Sequence, residues 1–175
     1  MGKESFVKRH SYFIFTLIVV AIDQITKAWI VKTIEEGRVK FSFLKDFIWI
    51  CHVRNSAIGF SIGSSLNDNL KRFLFILVPL IVLILLVVFL FRNKELENYQ
   101  KFFVGGIIGG GIGNLIDRIF RVDWVVDFIS IKVYGFLGFE RWPTFNVADA
   151  TIVVCTVLLL FSLFFGGRGK GVLNE

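Results

Sequence analysis

Four apolar runs, each close to the roughly 20 residues needed to cross a bilayer as a helix, constrain this chain more than any other feature. They cover residues 11–31, 73–91, 102–120 and 144–165. The second is almost pure Leu, Ile, Val and Phe, and the third is rich in glycine. In 175 residues, 55% are hydrophobic and only 19% charged, a balance typical of polytopic membrane proteins and rare in soluble domains. The expected fold is therefore an all-α polytopic membrane protein, a single membrane domain over 1–175 with four transmembrane helices. Segments 32–72 and 121–143 connect spans one to two and three to four. The N-terminal run has polar residues inside it and three spans after it, so it reads as a retained helix rather than a cleaved leader.

A net charge of +6 would suit nucleic acid in a soluble protein. Here the basic residues flank apolar runs, so membrane lipid is the expected partner and nucleic acid is not. Lys3, Lys8 and Arg9 precede span one, Arg92, Lys94 and Lys101 crowd the short link between spans two and three, and Arg168 and Lys170 follow span four. Four crossings put all three groups on one side, which the positive-inside rule makes cytoplasmic, together with both termini. The two longer connections then face outward. Their stretches "VKFSFLKDFIWICHV" and "WVVDFISIKVYGF" carry β-branched and aromatic residues in partial alternation, predicting short strands. Trp49, Trp124, Tyr134 and Trp142 suit an interfacial belt, so a small sheet is expected on the outer membrane surface.

Polar groups inside apolar runs require a partner or a function. Asp23 and Lys27 are spaced i, i+4 and can pair on one face of the first helix, roughly 18 Å along it from Ser11. For Lys27 the structural role is favoured; Asp23 either pairs or supports a site. In "GGIIGGGIGNLIDR", 105–118, Gly105, Gly109 and Gly113 repeat every four residues, as do Gly106 and Gly110. That pattern allows helices to approach closely in lipid. Asn114, Asp117 and Arg118 follow at the outer end. Asp127 lies just beyond span three and Asp149 just inside span four, at a shared depth if those spans are neighbours. Asn146 and Asp149 also have the spacing of a helix N-cap and its N3 acid, so Asp149 either caps the helix or works with Asp127.

Two carboxylates in a partly dry site resist joint ionisation and together offer a base and an acid near neutral pH. Such a pair can activate water against an amide without metal, cofactor or nucleophilic side chain. Other chemistries fit poorly. "GFSIG", 59–63, matches G-x-S-x-G around Ser61, but no histidine follows it in the chain. Cys51 and His52 are adjacent and would point to opposite faces of a strand. The two cysteines, Cys51 and Cys155, read as small hydrophobes, and two histidines in all leave little scope for a Cys/His metal cluster.

"DQITK", "RNSAIGFS", "GGGIGNLIDR", "VVDF" and "FNVADA" occur between residues 23 and 150 in the order seen in lipoprotein signal peptidases, the signal peptidase II family, which this chain resembles over nearly its whole length. The resemblance implies an aspartic endopeptidase of the bacterial cytoplasmic (inner) membrane. Its substrates would be prolipoprotein signal peptides, cut just before a diacylglyceryl-bearing cysteine, and its site would face the extracytoplasmic side. It implies that Asp127 and Asp149 are the catalytic pair, with Asn55, Asn114, Arg118 and Asn146 lining the substrate site. Asp23, Lys27 and Asp117, with Gly110 and Gly113 of the same motif, would support it. It also implies a small β-cradle and a short interfacial helix outside the membrane; the expected state is a monomer. One departure stands out: Ala57 occupies a place where the family usually has glycine.

Two other classes compete. A small transporter or channel would place its charges nearer the midplane, commonly between inverted repeats, and halves 1–92 and 93–175 show none. A structural subunit would leave the acids as caps and ion pairs.

Overall fold

The computed structural model describes residues 6–55, 67–121 and 124–165. Its long elements follow the apolar runs: α1 Phe6–Thr33, α2 Asp68–Arg92, α3 Asn98–Phe120 and α4 Val147–Phe165. At 1.5 Å per residue, even the 19-residue α4 is about 28 Å long, and all four helices have the length and apolarity to cross a membrane.

The helix ends differ from the apolar-run boundaries for local reasons. α2 starts ahead of the apolar run because the Asn67 side chain accepts the Leu70 N–H at 2.8 Å. α3 starts at Asn98 because Glu97 and Gln100 form a capping box. α4 starts three residues later than its apolar run, at Val147, because Phe145 is engaged elsewhere: its carbonyl and N–H bond to Ile129 in an antiparallel bridge. Pro79 sits inside α2 without ending it.

Helix α3 occupies the centre, packed against α1, α2 and α4. In its most apolar stretch 56% of residues are buried, against 11% in α2 and α4, whose Leu, Ile, Val and Phe side chains face outward. Glycine permits this centrality. A Cβ on Gly113 would lie 2.5 Å from Asp23 Oδ2, and one on Gly110 would lie 2.6 Å from the Ala148 carbonyl oxygen.

The two longer connections form a three-stranded antiparallel sheet in the order β1 (Val39–Phe43), β2 (Ile48–Asn55), β3 (Val125–Ile131). The strands thus appear where alternation predicted them. A register shift between Ile50 and Val53 bends β2, after which Val53 pairs with Asp127 and Asn55 with Val125. Ile30 and Ile34 at the end of α1 pack with Val126 and Phe128, fixing β3 over the helix bundle. Arg141 locks the far end of the sheet. It donates to Ser130 Oγ and to the carbonyls of Ser130 and Asp46, each at 2.9 Å, with its guanidinium 3.6 Å above the Trp49 ring. Among the described residues of 121–143 the only helical piece is a 3-10 turn, Phe136–Gly138. "GFSIG" and Ala57 lie outside the described residues.

Candidate active site

Asp127 and Asp149 come from different kinds of element, and a few polar side chains bring them together. Asp127 stands in β3, and Asn55 of β2 is its diagonal neighbour across the ladder, donating Nδ2–H to Asp127 Oδ2 at 2.7 Å. Asp149 stands in the first turn of α4. Asn146 Oδ1 accepts the Asp149 N–H at 2.9 Å, while Asp149 Oδ2 accepts the Asn146 N–H at 3.2 Å, a reciprocal cap. The cap does not use up either residue. Asn146 Nδ2 donates to Asp127 Oδ1 at 2.7 Å, and Asn114 Nδ2 of α3 donates to Asp149 Oδ1 at 2.7 Å. The arrangement that caps α4 therefore also links Asp149 to Asp127 through Asn146. Asn146 bonds to both carboxylates.

Behind the acids lies a buried charge cluster. Lys27 Nζ is 2.9 Å from Asp23 Oδ2 and 3.0 Å from Asp117 Oδ2, and all three side chains are fully buried. Isolated charges in such surroundings would be costly; here Arg121, 3.0 Å from Asp117 Oδ1, balances the second carboxylate. Each acid of the cluster also accepts from a backbone N–H. Asp23 accepts from Ala148 at 3.0 Å, next to Asp149, and Asp117 from Val126 at 3.1 Å, next to Asp127. Asp23, of the i, i+4 pair foreseen on α1, thus grips α4, while Asp117 of α3, bound to the same Lys27, grips β3. Two members of the network have no role in the sequence reading: Gln24, which donates to Asp23, Asp117 and the Gly113 carbonyl, and Arg121. A second polar residue beside Asp23 in an apolar run, and a cation at i+4 from Asp117, were the available signals.

Burial pushes the Asp127 carboxyl up to about 6, helped by the nearby Asp149 charge and opposed by the Asn55 and Asn146 bonds and by Lys27. Arg118 is half-buried and within electrostatic range of Asp149, Asp117 and Asp127. The site therefore combines a carboxyl poised near neutrality, a second carboxylate, and amide and guanidinium donors.

Other candidates separate. Cys51 Sγ faces the Phe128 carbonyl, and burial pushes its thiol up, away from the nucleophilic thiolate. Neighbouring His52 is turned to the Ile34 carbonyl, 2.8 Å from Nδ1. Both cysteines are free and buried. Among the described residues, no three His, Cys, Asp or Glu side chains gather in a way that could hold a metal ion.

The chain is similar to known proteins over most of its length. The family model described as signal peptidase (SPase) II matches residues 15–165. The lipoprotein signal peptidase of Borreliella afzelii (strain PKo) is 43% identical over 162 residues, covering 91% of this chain and 94% of that protein. That of Treponema pallidum (strain Nichols) is 45% identical over 145 residues, covering 83% and 78%. A bacterial membrane enzyme solved by the in meso method at 1.9 Å resolution superposes with a TM-score of 0.78 at 28% identity, covering 94% of this chain and 98% of that one.

Proposed function

Because the chain belongs to the signal peptidase II family, we propose that it removes signal peptides from prolipoproteins by water activated between Asp127 and Asp149. The observation that carries this reading is the double grip of Asn146, side chain on Asp127 and backbone on Asp149, which brings two acids from separate elements to one place.

Asp149 is the base. It accepts backbone and amide N–H groups at the first turn of α4, where the helix dipole favours negative charge. Asp127, raised toward neutrality, more readily holds the proton. The Asp149 carboxylate takes a proton from water as the water oxygen attacks the scissile carbonyl. Asp127 polarises that carbonyl and then protonates the leaving amine, which becomes the free N-terminus of the lipid-bearing cysteine. Asn55, Asn114 and Arg118 add donors for substrate carbonyls and developing negative charge.

The setting is the bacterial inner membrane, termini inward and site outward, so that the substrate's diacylglyceryl anchor stays in the outer leaflet while its peptide bond reaches the acids. The enzyme works as a monomer among phospholipids, with a short interfacial helix beside the sheet.

Mass analysis of a diacylglyceryl-modified precursor incubated with the purified protein tests this. The expected product is a mature chain beginning at the lipidated cysteine. An intact precursor, or cleavage elsewhere in the chain, would refute it.

A further inference from the structure

Asn114 and Asn146 each carry one acceptor and one NH2 group, and their surroundings permit only one orientation of each amide. An ammonium has three donors and no acceptor. Lys27 Nζ lies 2.9 Å from Asn114 Oδ1, so Asn114 must turn its oxygen toward α1 and its NH2 toward Asp149. Asn146 Oδ1 likewise meets a group that only donates, the Asp149 N–H, leaving Nδ2 for Asp127. The two amides are linked, because Asn146 Nδ2 also reaches Asn114 Oδ1 at 3.2 Å. If Asn114 were reversed, its NH2 would face the ammonium and its oxygen would face a carboxylate, two like contacts in a buried place.

An ion pair serving stability alone is complete with Asp23 and Asp117; the contact with Asn114 is an additional one. We propose that Lys27 is a positioning residue for the acid pair: by fixing the sense of the Asn114 amide, it keeps an N–H donor on Asp149 and an acceptor beside Asn146 Nδ2. This rests on the acid-pair reading above. Among the described residues, the charged groups around the pair are Lys27 and Asp23 from α1 and Asp117 and Arg118 from α3; β2 contributes the uncharged Asn55.

The test is the pH profile of kcat/KM for a lipidated precursor in detergent, using Asp23→Asn/Lys27→Met in the full chain. This variant removes one charge of each sign and leaves Asp117 with Arg121, Gln24 and the Val126 N–H. With Asn114 free to reverse, the acidic limb of the profile is expected to rise by about one pH unit, and kcat to fall about tenfold with KM changed far less. Lys27→Arg, again a pure donor, should restore the limb, whereas Lys27→Gln, which also offers an acceptor, should not. A profile that superposes on the wild type after scaling for folded protein overturns the inference. Should the double variant not fold, Asn114→Leu, which leaves the buried charges in place, must give the same shift; an unmoved limb there overturns it too. Asp127→Asn and Asp149→Asn are run alongside. Cleavage by either refutes the acid pair itself, while inactive Asn variants with an unmoved Lys27 profile refute only the role of Lys27.

Discussion

Gly110→Ala tests whether the close approach of α3 and α4 sets the position of Asp149. The new methyl would lie 2.6 Å from the Ala148 carbonyl oxygen and 2.7 Å from Ile152 Cγ1. Ordinary contact begins at 3.4 Å, so the helices must part by about 0.8 Å at this point, and the Ala148 obstacle is backbone that has no rotamer to change. Ala148 adjoins Asp149, so the displacement passes to the acid. If carried in full, it stretches the 2.7 Å bond from Asn114 to about 3.5 Å, the limit of a hydrogen bond. Overpacking of this kind costs about 1–3 kcal/mol of stability. A catalytic group displaced by about 1 Å loses on the order of 100-fold in rate. The assay is kcat/KM for a lipidated precursor together with a melting curve. The control is Gly111→Ala, whose methyl meets the flexible Leu83 side chain, nearest at its end, Cδ2, also at 2.6 Å. It should keep activity within about threefold, since such a side chain can shift rotamer. Wild-type turnover in Gly110→Ala, or equal damage from both substitutions, would refute the reasoning.

Two more predictions concern stability. A carboxyl raised in the folded state from 3.8 to about 6 contributes stability that is complete below its unfolded pKa and is lost as pH rises through 6. The melting temperature of Asp127→Asn relative to wild type should therefore climb between pH 4 and pH 7.5, by the equivalent of at most about 3 kcal/mol; a flat difference would contradict it. Arg141→Ala should expose the turn at Leu44–Phe47 and the hairpin 134–139 to limited proteolysis and cost about 1–3 kcal/mol, because Arg141 alone among the described residues ties Ser130 to the Asp46 and Phe47 carbonyls. Unchanged cleavage rates at both loops would show that the clamp is dispensable.

The parts of this architecture legible in the sequence are those with a local cause. Helices follow from apolar length, β1 to β3 from alternation, and the Asp23–Lys27 pair from a four-residue spacing. The Asn146–Asp149 cap follows from a three-residue spacing. At Asp149 the sequence left cap or site open, and the structure adds to the cap a bond from Asn114, 35 residues away. Contacts of that kind leave no periodic trace. The Asp23 bond to Ala148 spans 125 residues and the Gln24 bond to Asp117 spans 93, and neither partner's neighbourhood advertises the other. The start of α4 at Val147 is the one the Asn146 cap implies; the apolar run alone extends further back, through Phe145, which the strand bridge to Ile129 claims. The site is readable as a set of residue types; its wiring is not.

The most direct measurement is turnover of a lipidated precursor by Asp127→Asn and by Asp149→Asn, each shown by its melting transition to be folded. An acid and a base that share one water predict that either change lowers kcat by at least about 1000-fold. Turnover within tenfold of wild type in either folded variant would contradict the two-carboxylate account.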